Sequence, residues 1–164
     1  MHNKKLEMYL KDFEIRWSDV DANRHMANSA YISFISHTRI AFLLQLGFDQ
    51  KILEVNQIGP VAFYEHVYYF KEAFLGQPIR VSLEIMGMSE DAKFYEFHHN
   101  FYNHKGENIA RCEMMGAWID LKTRKLTGLN NELLRTFSGV EKADGFRVLT
   151  KEDTRKYARV PKDL

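Results

Sequence analysis

The alternation of apolar and polar residues predicts a β-strand near the start of the chain, over residues 8–18. Phe13, Ile15 and Trp17 fall on one side of a period-two pattern, and polar residues fall on the other side. Such alternation is typical of a strand with one buried face and one exposed face. We therefore expect a half-exposed strand in this segment.

The spacing of apolar residues changes to that of a helix over residues 29–46. Asn28 or Ser29 is suited to cap the start of this helix, and Gly47 is suited to end it. Apolar residues cover most of the circumference and leave a narrow stripe of small polar residues at Ser29, Ser33 and Ser36. A helix that is apolar on most of its surface is buried on most of it, so a sheet must curl around it or a partner must cover it.

The chain beyond residue 59 has the character of β-structure. A short helix is expected before it at residues 49–55, and long strands are expected at residues 61–74, 79–89, 93–103 and 108–120. Strands joined by short turns indicate an antiparallel meander. One buried helix with four or five such strands predicts an α+β layer fold.

The last part of the chain differs in composition from the rest. A closing helix is expected over residues 130–137, ending at Gly139, and residues 140–164 are charged and low in apolar content. We therefore expect one domain over residues 1–139 and a charged C-terminal extension over residues 140–164. We expect at most one short helix within that extension, over residues 151–158.

Composition narrows the class of protein. The chain has 164 residues, of which 45% are apolar, and this is enough for one domain with a core of its own. A net charge of +1 gives no overall field to attract nucleic acid. Cys112 is the only cysteine, which excludes an intramolecular disulfide and favours a reducing compartment. No apolar segment approaches the roughly 20 residues of a membrane span, so we expect a cytoplasmic protein without a membrane partner.

Residues 15–39 hold the most informative polar pattern. Asp19 and Asp21 end the first strand-like run, and Asn28 and Tyr31 open the helix. The start of a helix offers unpaired backbone N–H groups and partial positive charge, which can stabilise a developing oxyanion. A carboxylate next to it can then act as nucleophile or as general base.

This segment resembles the motif of the 4-hydroxybenzoyl-CoA thioesterase-like family. That motif runs Asp-x-Asp-x-x-Gly-His-Val-Asn-Asn-x-x-Tyr, followed by an acidic residue and Ala-Arg. The matching residues of this chain follow in the same order: Asp19, Asp21, His25, Asn28, Tyr31 and Arg39. The resemblance covers roughly residues 10–135. It implies a hotdog fold, in which an antiparallel sheet wraps around a long central helix, and an acyl-CoA thioesterase that releases a free acid and CoA.

The resemblance also implies roles for the matching residues. Asp21 corresponds to the catalytic acid, acting either through a mixed anhydride or as the base that activates water. The backbone N–H near Asn28 is the expected oxyanion donor, although the Asn28 side chain is equally suited to cap the helix. His25 either orients the loop or contacts the substrate. Tyr31 is assigned to the substrate site, with core packing as its alternative, and Asp19 is expected to hold the loop by hydrogen bonds.

Three positions depart from the family motif. Arg24 stands where the family has Gly, at a turn that often needs positive φ. Ala27 replaces the first Asn of the pair, and His37 replaces the acid on the helix. Arg24 is therefore either a strained turn residue or a residue that contacts the substrate, and we assign it to the substrate site.

Other polar residues carry weaker expectations. Arg39, on an apolar helix, is expected to form a structural ion pair, and Glu65 is a candidate second carboxylate. Lys71, Arg80 and Lys93 are candidates for contact with CoA phosphates. Neither a metal nor another cofactor is expected, because the adjacent His98 and His99 point to opposite faces of a strand. Cys112 is expected to be a small buried residue.

The edge strands of such a sheet expose unpaired backbone N–H and C=O groups, which need to be covered. The resemblance implies a homodimer or homotetramer in which two chains form the acyl-CoA site. An acyl-thioester-binding protein without hydrolytic activity is the alternative function, and an acyl-thioester dehydratase is a third. The acyl group, and whether CoA or an acyl-carrier protein presents it, stay open.

Overall fold

A computed structural model describes residues 8–164 as one curved antiparallel sheet with three helices. In chain order the elements are β1 Tyr9–Glu14, α1 Asn28–Gln45, α2 Gln50–Asn56, β2 Ile58–Tyr69, β3 Pro78–Met88, β4 Phe94–Tyr102, β5 Asn108–Asp120, α3 Asn131–Ser138 and β6 Arg147–Val148. This is the α+β hotdog architecture that the resemblance implied. Within residues 8–164, no helix is long and apolar enough to cross a membrane.

The strand order is β1-β3-β4-β5-β2, with the short β6 paired in parallel with β3. The expected meander is therefore confirmed for β3, β4 and β5, which pair in chain order. It is wrong for the two edge strands, β1 and β2. The reason lies in the connection between β1 and β2. It contains α1, whose 18 residues span about 27 Å, long enough to carry the chain across the sheet. As a result β2 pairs with β5 at the far edge.

Helix α1 packs against β3 and β1 on one face of the sheet, and its buried side chains form much of the core. They are Ala30, Tyr31, Phe34, Ile35, Thr38, Phe42 and Leu43. Thr38 satisfies its hydroxyl by donating a hydrogen bond to the Phe34 carbonyl oxygen at 2.8 Å. Ile40 and Leu44 of the same helix stay exposed, so the sheet covers one face of α1 and not most of its surface as expected. The small polar stripe at Ser29, Ser33 and Ser36 stays exposed.

The first strand is shorter than the sequence predicts. It ends at Glu14, and residues Trp17–Asp19 form a short 3-10 turn. Trp17 was expected on the buried side of the strand but is 79% exposed. The strand ends here because the Asp19 carboxylate accepts hydrogen bonds from Arg16 and closes the turn.

The C-terminal extension packs against the sheet. Strand β6 pairs with Gly87 and Met88 of β3, and Leu149 lies with Phe94 and Met115 in a small apolar cluster. A side chain at position 87 would meet Leu149, whose nearest atom lies 2.7 Å from the Cβ position. The short helix expected within residues 151–158 is a single 3-10 helix at Asp153–Arg155.

Candidate active site

The loop between β1 and α1 is a tight hairpin that presents Asp21. Val20 and Met26 form an isolated antiparallel bridge. Inside it, the Arg24 N–H donates to the Asp21 carbonyl oxygen at 3.0 Å, and the Asp21 N–H donates to the His25 carbonyl oxygen at 3.1 Å. Residues 21–24 thus form a four-residue turn whose last residue, Arg24, has a left-handed backbone. The three residues between Asp21 and His25 make a common type of hairpin loop.

The two oxygens of the Asp21 carboxylate have different surroundings. Oδ1 accepts a hydrogen bond of 2.8 Å from the Asn23 N–H, which fixes the side chain in the turn. Oδ2 lies 3.7 Å from His25 Nδ1. Unlike Oδ1, Oδ2 accepts no hydrogen bond within residues 8–164, and the side chain as a whole is 32% exposed. The turn thus orients a carboxylate and leaves one oxygen available for chemistry.

His25 lies between two carboxylates. Its Nδ1 donates a hydrogen bond of 3.3 Å to the Met26 carbonyl oxygen and lies 3.7 Å from Asp21 Oδ2, and its Nε2 is 3.9 Å from Glu72 Oε1. Glu72 follows β2 and was not singled out in the sequence, because it is distant along the chain. A hydrogen bond of 2.7 Å from the Met26 N–H to the Ala73 carbonyl oxygen joins the two loops. This contact brings Glu72 into the site.

Asp19 anchors the loop, as the sequence predicted. Its carboxylate accepts hydrogen bonds from the Arg16 N–H, Nε and Nη2 at 2.8, 3.0 and 3.1 Å. The hydrogen bonds from Arg16 lower the pKa of Asp19 against the opposing effect of burial. The Asp19 carbonyl oxygen accepts from the Ala27 N–H at 2.8 Å, so the same residue also fixes the start of α1.

Helix α1 begins beside Asp21 without a side-chain cap. The N-cap residue is Ala27, which has no side-chain hydrogen-bonding group, and Asn28 is the first helical residue. The expectation that the Asn28 or Ser29 side chain caps the helix is therefore wrong, because the helix starts at Asn28 itself. The first N–H groups of a helix have no acceptor within it. The Ala30 N–H donates to the Ala27 carbonyl oxygen at 3.0 Å, so the N–H groups of Asn28 and Ser29 are the ones available to an oxyanion at this end of α1.

A cleft of about 450 Å³ joins these elements. One wall is formed by the loop and the start of α1, and the other by the end of β2: the lining residues are Asp21, His25, Met26, Asn28, Tyr31, Tyr69, Phe70, Lys71 and Glu72. The volume lies within the range of small-molecule sites in proteins. Asp21, His25, Asn28 and Tyr31, all selected from the sequence, thus meet in one cleft.

Tyr31 both packs in the core and lines the cleft. Its ring contacts Tyr69 edge-on, with centroids 5.0 Å apart, and also contacts Phe101. The residue is 3% exposed, and burial raises the pKa of its hydroxyl to about 12. Tyr31 therefore stays protonated at neutral pH and lines the cleft as a neutral side chain.

Arg24 is exposed and adopts φ of +65°, in the left-handed region. It is not among the described residues that line the cleft. The left-handed backbone explains why a Gly is suited to this turn position. Contact between Arg24 and a substrate remains a prediction.

Each of the three candidates for phosphate contact forms an ion pair with an acidic residue. Lys71 pairs with Glu107 at 2.8 Å, Arg80 with Asp12 at 2.7 Å, and Lys93 with Asp91 at 3.6 Å. Of the three, only Lys71 is among the residues of the cleft.

The remaining candidates lie away from the cleft. Cys112 is fully buried, and burial raises the pKa of its thiol to about 12, with a smaller contribution from Glu65. His98 contacts Glu96 and Arg111, whereas His99 bonds the Ser82 carbonyl oxygen inside the core. Among residues 8–164, no three His, Cys, Asp or Glu side chains are placed to hold a metal ion.

Arg39 forms the ion pair that the sequence predicted, and its partner is Glu65. Arg39 Nη1 and Glu65 Oε1 lie 2.6 Å apart, and the two side chains are 17% and 20% exposed. Glu65 is therefore engaged by Arg39 at a distance from the cleft. The pair links α1 to the edge strand β2.

Comparison with known families gives the same assignment as the motif and the fold. Residues 15–137 match the model of the thioesterase-like superfamily. The chain belongs to this superfamily. A search of curated protein sequences gives no significant match.

Several solved structures of other proteins share the fold of this chain at low sequence identity. A Staphylococcus aureus protein solved in complex with CoA is 17% identical, with a TM-score of 0.77 over 95% of this chain and 96% of the other. A 1,4-dihydroxy-2-naphthoyl-CoA thioesterase from Synechocystis is 16% identical, with a TM-score of 0.71 over 80% and 96%. A DHNA-CoA thioesterase from Staphylococcus aureus is 19% identical, with a TM-score of 0.72 over 79% and 88%.

Proposed function

We propose that the protein hydrolyses an acyl-CoA thioester to a free acid and CoA. The observation that carries this proposal is the position of the Asp21 carboxylate beside the uncapped start of α1, within one cleft. A helix start binds the oxyanion that forms when a thioester carbonyl is attacked. The superfamily and the CoA-bound neighbour support thioester chemistry and a CoA carrier.

In this mechanism the thioester carbonyl oxygen lies against the N–H of Asn28. Attack on the carbonyl carbon then places negative charge where the backbone N–H groups of the helix start can stabilise it. Removing such a donor typically costs about 2.7–4 kcal/mol of transition-state stabilisation. The CoA thiolate leaves as the tetrahedral intermediate collapses.

Asp21 takes part in the attack on the thioester carbonyl carbon in one of two ways. Its Oδ2 either removes a proton from water or attacks the carbonyl carbon directly to form a mixed anhydride. After a single turnover in ¹⁸O-labelled water, label within Asp21 fits only an anhydride that water opens at the Asp21 carbonyl carbon. Label in the released acid alone fits both the general-base route and an anhydride that water opens at the acyl carbon.

His25 and Glu72 complete the polar side of the cleft. His25 lies beside the free oxygen of Asp21, and Glu72 lies beside the other ring nitrogen of His25. We assign His25 the task of orienting Asp21 and of passing a proton between Asp21 and the open side of the cleft. Glu72 then acts as a positioning residue through His25.

The test of the function is thiol release from a panel of acyl-CoA thioesters. Release of CoA with an equal amount of free acid supports hydrolysis. Saturable binding without thiol release would instead support the alternative, an acyl-thioester-binding protein. Formation or loss of a double bond without thiol release would favour the dehydratase.

We also propose that the protein assembles as a homodimer or homotetramer through the edge of β2. This strand has 12 residues and pairs with β5, and among residues 8–164 no strand covers its other edge. Large apolar side chains lie exposed along it and just after it: Phe63, Tyr68, Tyr69 and Phe70. A long apolar edge of this kind calls for a partner, and a second copy of the chain would place two clefts beside one interface.

Light scattering at micromolar protein is expected to give a dimer or a tetramer. Tyr68→Lys should shift the protein towards monomer, because lysine on an edge strand opposes pairing. Val160→Lys is the control, since Val160 is 92% exposed on the C-terminal extension. A strictly monomeric wild-type protein that hydrolyses acyl-CoA would contradict the shared site.

Arg24→Gly is expected to raise the melting temperature. Arg24 holds φ of +65°, and a left-handed backbone costs a non-glycine residue roughly 1–2 kcal/mol. If Arg24 also contacts a CoA phosphate or a substrate carboxylate, the same variant raises KM, and more strongly at low ionic strength. An unchanged KM at low salt with a raised melting temperature would rule out the substrate contact.

A further inference from the structure

Three cations lie together on a short hairpin at the end of β5. In its turn the Arg124 N–H donates to the Asp120 carbonyl oxygen at 2.8 Å, and the Asp120 carboxylate accepts from two further backbone N–H groups of the turn at 2.9 and 2.7 Å. Lys122, Arg124 and Lys125 are exposed, and within residues 8–164 none of their side chains forms an ion pair or a hydrogen bond. The hairpin therefore presents a concentrated positive charge on a chain whose net charge is only +1.

A cluster of exposed cations on a fixed turn suits a ligand with several negative charges, such as the diphosphate and ribose phosphate of CoA. The cleft at Asp21 does not supply such a cluster from its own lining. The charged residues that line it are Asp21, Glu72 and Lys71, and Lys71 already pairs with Glu107 at 2.8 Å. A CoA thioester in this cleft therefore needs further cations for its phosphate groups.

The hairpin and the cleft of one chain lie at opposite ends of the β2–β5 pair. Tyr69, which lines the cleft, pairs with Ala110, whereas Ile58 pairs with Asp120 at the base of the hairpin. The distance along β2 from Ile58 to Tyr69 is roughly 35 Å. The pantetheine arm of CoA has roughly 13 bonds between its sulfur and the nearer phosphorus, which span about 17 Å when extended. The hairpin is thus too far away to contact the diphosphate of a CoA in the cleft of its own chain.

A two-fold dimer through the edge of β2 brings the hairpin of the other copy to this cleft. Two-fold symmetry makes the two β2 strands antiparallel, so the start of one lies beside the end of the other. With the strands paired about their midpoint, the partner's Ile58 lies opposite Tyr69, and the partner's Asp120 lies on the next strand. Two strand spacings of about 4.8 Å place the base of that hairpin about 10 Å from Tyr69, within the length of the pantetheine arm.

We propose that Lys122, Arg124 and Lys125 of a second copy of the chain bind the phosphate groups of the CoA whose thioester lies at Asp21. Each site is then built from two chains: one supplies Asp21 and the start of α1, and the other supplies the basic hairpin. The inference rests on the proposed function, which places an acyl-CoA in the cleft, and on the proposed dimer through β2. It provides the charge complementarity that the cleft of a single chain lacks.

The first test measures binding by calorimetry with ligands that cannot be hydrolysed. An alkyl-CoA thioether is compared with the matching alkyl-pantetheine thioether, which has no phosphate group. Lys122→Gln, Arg124→Gln and Lys125→Gln combined should weaken binding of the CoA thioether by roughly tenfold at low salt, as three exposed charge contacts predict. The pantetheine thioether should bind this variant and the wild type equally. An unchanged affinity for the CoA thioether, or an equal loss for both ligands, would overturn the inference.

The matched control combines Lys151→Gln, Arg155→Gln and Lys162→Gln. These residues are exposed on the C-terminal extension, so the control removes the same charge from another place. It should bind the CoA thioether within about twofold of the wild type, because distant exposed charges are screened by salt. A loss as large as that of the hairpin variant would reject a role for the hairpin. Light scattering checks the assembly of each variant, and Arg124→Gln alone, with an expected loss of about twofold to threefold, replaces the triple variant if its assembly is altered.

The second test asks whether the hairpin at each cleft belongs to the other chain. Cys112 is fully buried, so cysteines introduced at Glu72 and Arg124 are the accessible thiols. Glu72→Cys combined with Arg124→Cys is treated with a bismaleimide about half as long as the roughly 35 Å between the two ends of one chain. We expect chains joined in pairs on a denaturing gel, whereas each single variant should stay unjoined. Unjoined chains from the double variant would contradict the shared site.

These outcomes are separable from that of the proposed hydrolysis, since both tests measure binding or proximity and not turnover. Binding and crosslinking as expected, but no thiol release from acyl-CoA, would reject hydrolysis and retain the shared CoA site. Thiol release with an unchanged KM in the hairpin variant, and no crosslinked pairs, would retain hydrolysis and reject this inference.

Discussion

Asp21→Asn is expected to lower the rate of acyl-CoA hydrolysis by roughly a hundredfold to ten-thousandfold, the usual contribution of a general acid or base. The substitution removes the charge on Oδ2 and the ability to accept a proton. The fold should stay intact, because the asparagine oxygen can still accept the hydrogen bond from the Asn23 N–H that holds the turn. The loss should appear equally in kcat and in kcat/KM, since the carboxylate acts in the transition state.

The measurement is thiol release at saturating acyl-CoA, together with the melting temperature of each protein. Asp49→Asn is a matched control, because Asp49 caps α2 away from the cleft and asparagine is an equally good cap. Near-normal turnover in folded Asp21→Asn would remove Asp21 from the mechanism. Equal losses in both variants would point to a general effect of removing a carboxylate.

The elements that the sequence predicted well are those with a strong local period. The helix over residues 29–46 was found at Asn28–Gln45, and the strand over residues 108–120 was found at Asn108–Asp120. The start of α1, however, depends on the hairpin that Asp19 and Asp21 build before it. For that reason the N-cap is Ala27, which carries no capping side chain.

Long-range pairing could not be predicted from the same patterns. Each strand was recognised by its own alternation, which says nothing about its neighbours in the sheet. The exchange of β1 and β2 to opposite edges follows from the helices between them. The extension from residue 140 was expected to be an addition to the domain, yet it adds β6 to the sheet and buries Leu149.

The residues of the candidate site also divide into those that a local sequence pattern predicted and those that only the structure reveals. Asp21, His25, Asn28 and Tyr31 lie on one short segment, so a motif was sufficient to select them and the structure brings them to one cleft. Glu72 lies on a different loop, and only the hydrogen bond between Met26 and Ala73 places it beside His25.

The Arg39–Glu65 pair also needed the structure. Arg39 was expected to find an acidic partner, but Glu65 was considered only as a possible catalytic carboxylate. The pair crosses from α1 to β2, and its inner atoms, Arg39 Nη1 and Glu65 Oε1, are fully buried at 2.6 Å without the alignment of a hydrogen bond. Such a pair costs desolvation energy, and its members depend strongly on each other.

Glu65→Leu is therefore expected to destabilise the protein by about 3 kcal/mol, because it leaves the Arg39 guanidinium largely buried without a counter-charge. Apart from Glu65, the one side-chain hydrogen-bond partner of Arg39 in the described residues is Ser36 Oγ at 3.2 Å. For a chain of this size the melting temperature should fall by roughly 6–12 °C. Thermal unfolding must be compared at one protein concentration, because an oligomer gains stability with concentration.

Replacing both partners should reverse most of this loss. Arg39→Met combined with Glu65→Leu removes both charges and keeps apolar volume, and buried ion pairs replaced in this way are often neutral or stabilising. Asp12→Leu supplies the exposed control, because Asp12 and Arg80 pair at 2.7 Å with 75% and 54% of their side chains exposed. Breaking such a surface pair costs at most about 1 kcal/mol. If Glu65→Leu cost no more than Asp12→Leu, or if the double variant were less stable than Glu65→Leu alone, the pair would not act as a coupled, desolvated unit.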